Sequence, residues 1–328
     1  MATPHVALAR PDLSGNELAY VTEAIRSGHV SHVGRFERAL EAAFAARVGL
    51  PCLATSSGTG ALHCALLSMG VGHGDEVIVP DLTFGATASV VLAVGAKPIM
   101  VDISPDTWGL DYSKVPSYLT RRTRAIIPVH LYGEDAGDFK RTGYPVIEDA
   151  CEALGVVPVR GEVACYSFYG NKPMTTGEGG MLCGALGNAK AWRDGGFDTD
   201  YRQTVPGLNY RMSNLQAAVG LAQIERLDDL LAPRARNIEH YGSRLKGRGK
   251  WLFVAECDPV ATARRLADRG IESRPVFCPL HRSPAFAPYS RGKYKNADAL
   301  WETHLCLPAG PHVTADDVDR ICDIVSGG

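Results

Sequence analysis

Between residues 50 and 185 seven short apolar runs recur: Cys52 to Thr55, Val77 to Pro80, Pro98 to Val101, Ala125 to Val129, Pro145 to Glu148, Val163 to Phe168 and Met181 to Cys183. Runs of this length without polar alternation are strands covered on both faces, as in a mostly parallel sheet. Between the first two, Ala61, Leu62, Ala65, Leu66 and Met69 lie on one helical face, and Gly70 stops the helix. Strand, helix, strand in alternation is an α/β sandwich, whose ligands gather at the carboxyl ends of the strands.

A helical pattern from Asn214 to Leu245, broken near Pro233, leads out of this region. It is followed by a strand at Trp251 to Ala255, a helix at Pro259 to Arg269 and a last helix at Ala315 to Val325 behind a Thr cap. The expected division is a large domain over 1–230 and a small α+β domain over 231–328. The opening helix, capped by Ser14 and running through Arg26, is expected to pack with the small domain. Lys and Arg number 34 against 36 Asp and Glu, spread along the chain, which provides no field suited to nucleic acid. The longest apolar stretches, such as Ser89 to Met100, stop well short of the roughly 20 residues that cross a bilayer. No membrane partner and a cytoplasmic location are therefore expected, with no leader at the start of the chain. The nine cysteines are scattered without a C-x-x-C pair, and read as small buried hydrophobes, with no metal site.

Three segments carry chemistry. Ser56, Ser57, Gly58, Thr59 and Gly60 join the first strand to its helix, where backbone N–H groups and the helix dipole can cradle a phosphate. A plain capped turn has the same letters. His63 stands where a dinucleotide fingerprint wants glycine, and no Gly-Lys-Ser/Thr follows to make a P-loop. In the second, Asp149 ends a buried strand within Val146 to Glu152. There it can hold a ring nitrogen protonated or merely cap the next segment. In the third, Lys172 follows a strand in a loop dense in glycine and hydroxyls, Ser167 to Gly180. A lysine in a partly dry setting becomes a nucleophile for a carbonyl cofactor, whereas a lone lysine is ordinarily a solvated surface residue.

Together and in order, these motifs resemble the DegT/DnrJ/EryC1/StrS sugar aminotransferases. That family carries Ser-Phe-x-x-x-Lys followed by Gly-Glu-Gly-Gly, supplied here by Ser167, Phe168, Lys172 and Gly177 to Gly180. Pro80 with Thr83, Phe84 and Ala86, His130 to Gly133, Asp149 to Gly155, and Asn209 to Arg211 are also similar. The resemblance implies a pyridoxal 5′-phosphate (PLP) enzyme of aminotransferase fold type I. Lys172 would hold the cofactor and shuttle the proton, Asp149 would pair with the ring nitrogen, and Glu152 would replace the commoner glutamine. Phe84 would stack on the ring. Ser57, Gly58, Thr59 and Ser167 would hold the phosphate, and Asn209 would reach it from the second subunit of a homodimer with shared active sites. Ser31, Thr83, Arg211 and His281 are the candidate substrate contacts, Ser31 being equally a turn residue and His281 an interface histidine.

The implied partners are an amino-acid donor, glutamate, and a nucleotide-linked 4-keto-6-deoxy sugar. The run Tyr166 to Gly180 is more similar to enzymes that make perosamine from GDP-4-keto-6-deoxymannose than to those acting at carbon 3, while dTDP- or UDP-linked sugars stay open. Two features depart from the family: Arg193 to Gly196 lack the usual histidine before glycine, and the chain is trimmed at 133–146, 155–163 and 248–258. Other readings of the same residues weaken on inspection. A PLP-dependent sugar dehydratase lacks the lysine, a nucleotide-binding dehydrogenase needs a G-x-G-x-x-G, and a non-catalytic sensor has no need of Lys172 with Asp149.

Overall fold

The computed structural model describes residues 5–327. Two helices, α1 (Glu17–Arg26) and α2 (Arg35–Val48), precede an alternation of β1 (Cys52–Thr55), α3 (Gly58–Ser68), β2 (Glu76–Pro80), α4 (Ala86–Ala93) and β3 (Lys97–Val101). The chain continues through β4 (Thr123–Ile126), β5 (Ile147–Asp149), β6 (Val163–Ser167), β7 (Gly180–Gly184) and α5 (Ala189–Arg193). Hydrogen-bonded pairing gives one group ordered β3-β2-β4 and another ordered β5-β6-β7-β1. Single parallel bridges, Ile126 to Val146 and Val129 to Asp149, join them edge to edge. The seven runs thus form one layer that is parallel except at β7, which runs antiparallel to both neighbours.

Continuous apolar sequence is what such a layer needs. All five residues of β2 are buried: Val77 and Val79 share a core with α3 and α4, and on the other face Ile78 packs with Leu110 and Val115, while α2 with α6 (Asn214–Glu225) cover β1, β6 and β7. Glu76 is the polar exception within β2, and Arg122 at 3.0 Å and Thr120 at 2.6 Å satisfy its carboxylate.

Two helix assignments from the sequence are corrected. Ser14 caps nothing: its hydroxyl donates to Asp12, and α1 starts behind Asn16. The helix α1 packs on α6, with Ala24 in the core that contains Ile224 and Leu227, whereas the segment ahead of it does join the C-terminal region, Val6 bridging to Ile271. The long helical pattern breaks at Arg226, not near Pro233, which sits inside α7 (Leu227–Arg244). At the break, Arg226 reaches back to Asp12 at 3.0 Å.

A second sheet follows, ordered β10-β11-β9-β8, from β8 (Gly247–Arg248), β9 (Phe253–Glu256), β10 (Arg274–Pro275) and β11 (His304–Leu307). Its helices are α8 (Pro259–Ala267), α9 (Lys295–Thr303) and α10 (Ala315–Val325), the last opened by a capping box between Thr314 and Asp317. Position 230 lies inside α7, so the chain crosses between the two sheets on a continuous helix. Trp251, read from sequence as the start of a strand, precedes β9 and is buried in the core shared with the first sheet.

Candidate functional site

The carboxyl ends of β1, β5 and β6 open into a cavity of about 560 Å³. Nine residues singled out from sequence line it: Ser57, Gly58, Thr59, Thr83, Phe84, Asp149, Glu152, Ser167 and Lys172. Each is put there by a strand end or by the turn that follows it.

Ser57 caps α3, its Oγ accepting from the Gly60 N–H at 3.0 Å. This leaves the first turn of α3 facing the cavity, and the backbone is packed tightly enough to require its glycines. A Cβ on Gly58 would stand 2.8 Å from Cys151 Sγ, and one on Gly180 would stand 2.5 Å from the Ser57 carbonyl carbon. The Gly-Glu-Gly-Gly run therefore reflects a strand, β7, pressed against the cradle. Burial pushes the Cys151 thiol far above its ordinary range, so it is wall and not nucleophile.

Asp149 ends β5 with its backbone continuing the parallel ladder: its N–H donates to Pro128 and its carbonyl accepts from His130 at 3.0 Å. Its carboxylate accepts from Thr87 Oγ1 at 2.8 Å and from the Cys151 N–H at 3.2 Å. Thr83 in turn lies 2.9 Å from Thr87. Asp149 is thus held by donors while one side borders the cavity, which is the setting of a carboxylate that pairs with a cationic ring nitrogen.

Lys172 leaves β6 on a loop that folds back on itself, with Thr176 and Thr175 both donating to the Phe168 carbonyl. Its amine lies 3.2 Å from Glu152 Oε1 and 3.7 Å from the centroid of Trp251. The other oxygen of Glu152 accepts from the Tyr132 N–H at 2.7 Å. Tyr132 is a non-glycine residue in the left-handed region, with φ of 53°. It holds this side of the site together: its carbonyl accepts from Trp251, its hydroxyl accepts from the Phe277 N–H at 2.9 Å, and its ring stacks on both.

Four residues singled out from sequence lie outside the cavity. Ser31 is exposed, its carbonyl accepting from the Asn214 N–H. Asn209 accepts from Arg211 Nε at 3.0 Å, and Arg211 donates onward to the Asp194 carbonyl. That strip runs beside the cradle, since the Ser56 N–H donates to the Tyr210 carbonyl. His281 is occupied by Asp81 at 2.7 Å and Asp298 at 3.3 Å, and stacks on Tyr294. Arg193, where the family pattern has a histidine nearby, is buried among Glu37, Glu41 and the Ala54 carbonyl. Its role is structural.

Sequence reading missed Trp251, Arg274 and Phe277 as wall residues; Arg274 enters the cavity from β10, Trp251 from just before β9 and Phe277 from just after β10. No local pattern marks them, because they become wall residues only when two sheets distant in sequence meet.

A profile of the DegT/DnrJ/EryC1/StrS aminotransferase family matches residues 11–326. The chain belongs to this family. As a DegT/DnrJ/EryC1/StrS aminotransferase its cofactor is PLP, and β3-β2-β4-β5-β6-β7-β1 is the order of the sheet that carries the site. The GDP-perosamine synthase of Caulobacter vibrioides is 40% identical, over 97% of this chain and 96% of that one. That of Escherichia coli O157:H7 is 34% identical, covering 98% of each. Among solved structures, AtS13 from Actinomadura melliaura superposes with a TM-score of 0.91 at 27% identity, covering 99% of each chain. The first of these alignments runs over 358 positions, more than the 328 residues present here, so the shortness of this family member falls as internal gaps.

Proposed function

We propose that this aminotransferase moves an amino group from an amino acid, L-glutamate, to a nucleotide-linked 4-keto-6-deoxy sugar, GDP-4-keto-6-deoxy-D-mannose, giving GDP-perosamine. The observation that carries the reading is the Lys172 amine held in the cavity between Glu152 and Trp251, with Asp149 on the same wall, in a chain similar to GDP-perosamine synthases along almost its whole length.

The residues present fit the cofactor. The cradle at Ser57 to Thr59 offers backbone N–H groups at a helix start with no room for a Cβ at Gly58, which suits a phosphate together with Ser167. PLP, when bound, supplies a carbonyl carbon that takes and gives up the amino group and a conjugated ring that accepts electrons released at the substrate carbon. Asp149 keeps the ring nitrogen cationic. Phe84, exposed at the cavity mouth, covers a ring face and excludes water. Lys172 holds the cofactor and then carries the proton to and from the substrate carbon, and Glu152 orients its amine.

Asn209 completes the phosphate site from a second copy of the chain. Exposed apolar side chains near it, Phe197, Tyr201 and Leu208, support a surface covered by that copy. The reading sets the enzyme in the cytoplasm; no described helix is long and apolar enough to cross a membrane. Kinetics with GDP-, dTDP- and UDP-linked 4-keto sugars and glutamate test the substrate. A clear preference for the GDP sugar is expected, and a preference for a dTDP or UDP sugar, or for a 3-keto sugar, refutes it.

A further inference from the structure

The strand β10 brings Arg274 into the wall of the cavity that contains Lys172. Its Nε and Nη2 are sealed from solvent and have no hydrogen-bond partner among the described residues. A guanidinium carries five donors and no acceptor, and donors buried without partners are costly, so such a group signals a ligand that the protein itself does not supply. The aromatic neighbours do not fill the need. Cζ lies 5.4 Å from the Trp251 centroid and 5.3 Å from that of Phe277, contacts that orient the planar fork but accept no conventional N–H bond. Across the sheet, Arg274 faces Cys306, whose buried thiol accepts from the guanidinium only weakly and does not satisfy it. Glu152, the nearby carboxylate of the cavity, is taken by Lys172 and Tyr132.

The complement of an unpaired guanidinium is an oxyanion, and both proposed substrates carry one: the amino acid its carboxylate, the nucleotide sugar its diphosphate. Distance separates them. Lys172 Nζ and Arg274 Cζ are measured to the same Trp251 ring, at 3.7 and 5.4 Å, which limits their separation to about 9 Å. A donor nitrogen replacing the lysine amine has its α-carboxyl carbon about 2.5 Å away, and a bidentate guanidinium adds about 4 Å, well within that limit. The first phosphorus of a hexose aminated at carbon 4 lies a ring width further, about 6 to 7 Å from the nitrogen, so the same pairing needs about 10 Å when extended.

From this geometry we propose that Arg274 binds the α-carboxylate of the amino-acid donor. The inference rests on the aminotransferase reading and adds to it the group that recognises the donor. Because the sugar substrate uses the same cavity in the second half of the reaction, Arg274 discriminates between the two halves: it ties down the donor and leaves the acceptor to other residues.

The test separates the half reactions in holoenzyme carrying Arg274→Gln or Arg274→Lys. The visible absorbance of the enzyme is followed as L-glutamate or L-alanine discharges it. Calorimetric titration with 2-hydroxyglutarate, which has the carboxylates and no amine, and with GDP measures binding alone. Half-saturating glutamate and alanine should each rise roughly 100-fold in Arg274→Gln and less in Arg274→Lys, with 2-hydroxyglutarate weakened in step. GDP binding and the sugar half reaction should stay within about 2-fold. Unchanged donor dependence overturns the proposal, as does a loss for GDP equal to or larger than that for 2-hydroxyglutarate, which would make Arg274 a phosphate ligand. Should Arg274→Gln lose the visible absorbance, Arg274→Lys carries the same comparison. A wild-type enzyme that no amino acid discharges overturns the aminotransferase reading along with it.

Discussion

The amine of Lys172 stands 3.7 Å from the centroid of Trp251, a residue 79 positions further along the chain. The indole N–H donates at 3.0 Å to the carbonyl of Asn171, the residue just before that lysine. One side chain from the segment that leads into β9 thus fixes both the lysine amine and the backbone that presents it. Trp251→Ala should cost about 3–5 kcal/mol of stability from lost packing, read by urea denaturation. Trp251→Phe should keep most of the stability while loosening the lysine loop, seen as faster amide exchange at Asn171. A fully stable Trp251→Ala protein would contradict the packing role.

Asp149 receives its strongest side-chain donor from Thr87 on α4. Removing that donor without changing shape, as Thr87→Val, should lower kcat about 10- to 100-fold while cofactor binding is retained. Asp149→Asn should slow turnover by orders of magnitude in a folded protein, because the ring loses its cationic nitrogen. Near-normal turnover in Asp149→Asn would assign the ring contact to another carboxylate.

Burial pushes the Asp81 carboxyl up to about 6, the His281 contact offsetting part of the shift. A carboxyl whose folded value lies above its unfolded one favours the folded state most at low pH, and that advantage is lost as pH rises through about 6. Asp102 acts in the same direction on Asp81, while His281 itself bridges to Asp298. Relative to Asp81→Asn, the wild-type protein should therefore lose stability between pH 4 and pH 6, measured from urea midpoints. A difference that grows in favour of wild type over that interval would mean the ion pair with His281 outweighs burial.

Mixing Lys172→Ala with Asn209→Ala subunits should restore part of the activity that each has lost, since a mixed dimer can assemble one site without either defect. No recovery despite demonstrated subunit exchange would put Asn209 in its own subunit's site.

Much of this was legible in the chain itself. The seven strands of the first sheet announce themselves because burial on both faces leaves no polar alternation, and Lys172, Asp149 and Ser57 are legible because strand ends and glycine-rich turns are local features. What escaped was set by contacts distant in sequence. The helix break fell at Arg226 because that residue is drawn to Asp12, 214 positions away, and not because Pro233 cannot be helical. Ser14 resembles a cap but is used by Asp12, while β10, of two residues, is too short to signal. Trp251 and Arg274 become site residues only through the meeting of two sheets. Asn209 lies outside the cavity of a single chain, so its proposed role depends on a second copy.

The central claim is that Lys172 carries the cofactor. Borohydride reduction of the yellow protein, followed by digestion and mass spectrometry, tests it directly. The account predicts cofactor mass fixed on the peptide containing Lys172 and none retained by a Lys172→Ala protein. Reduced cofactor attached to a different lysine, or still attached in Lys172→Ala, would contradict it.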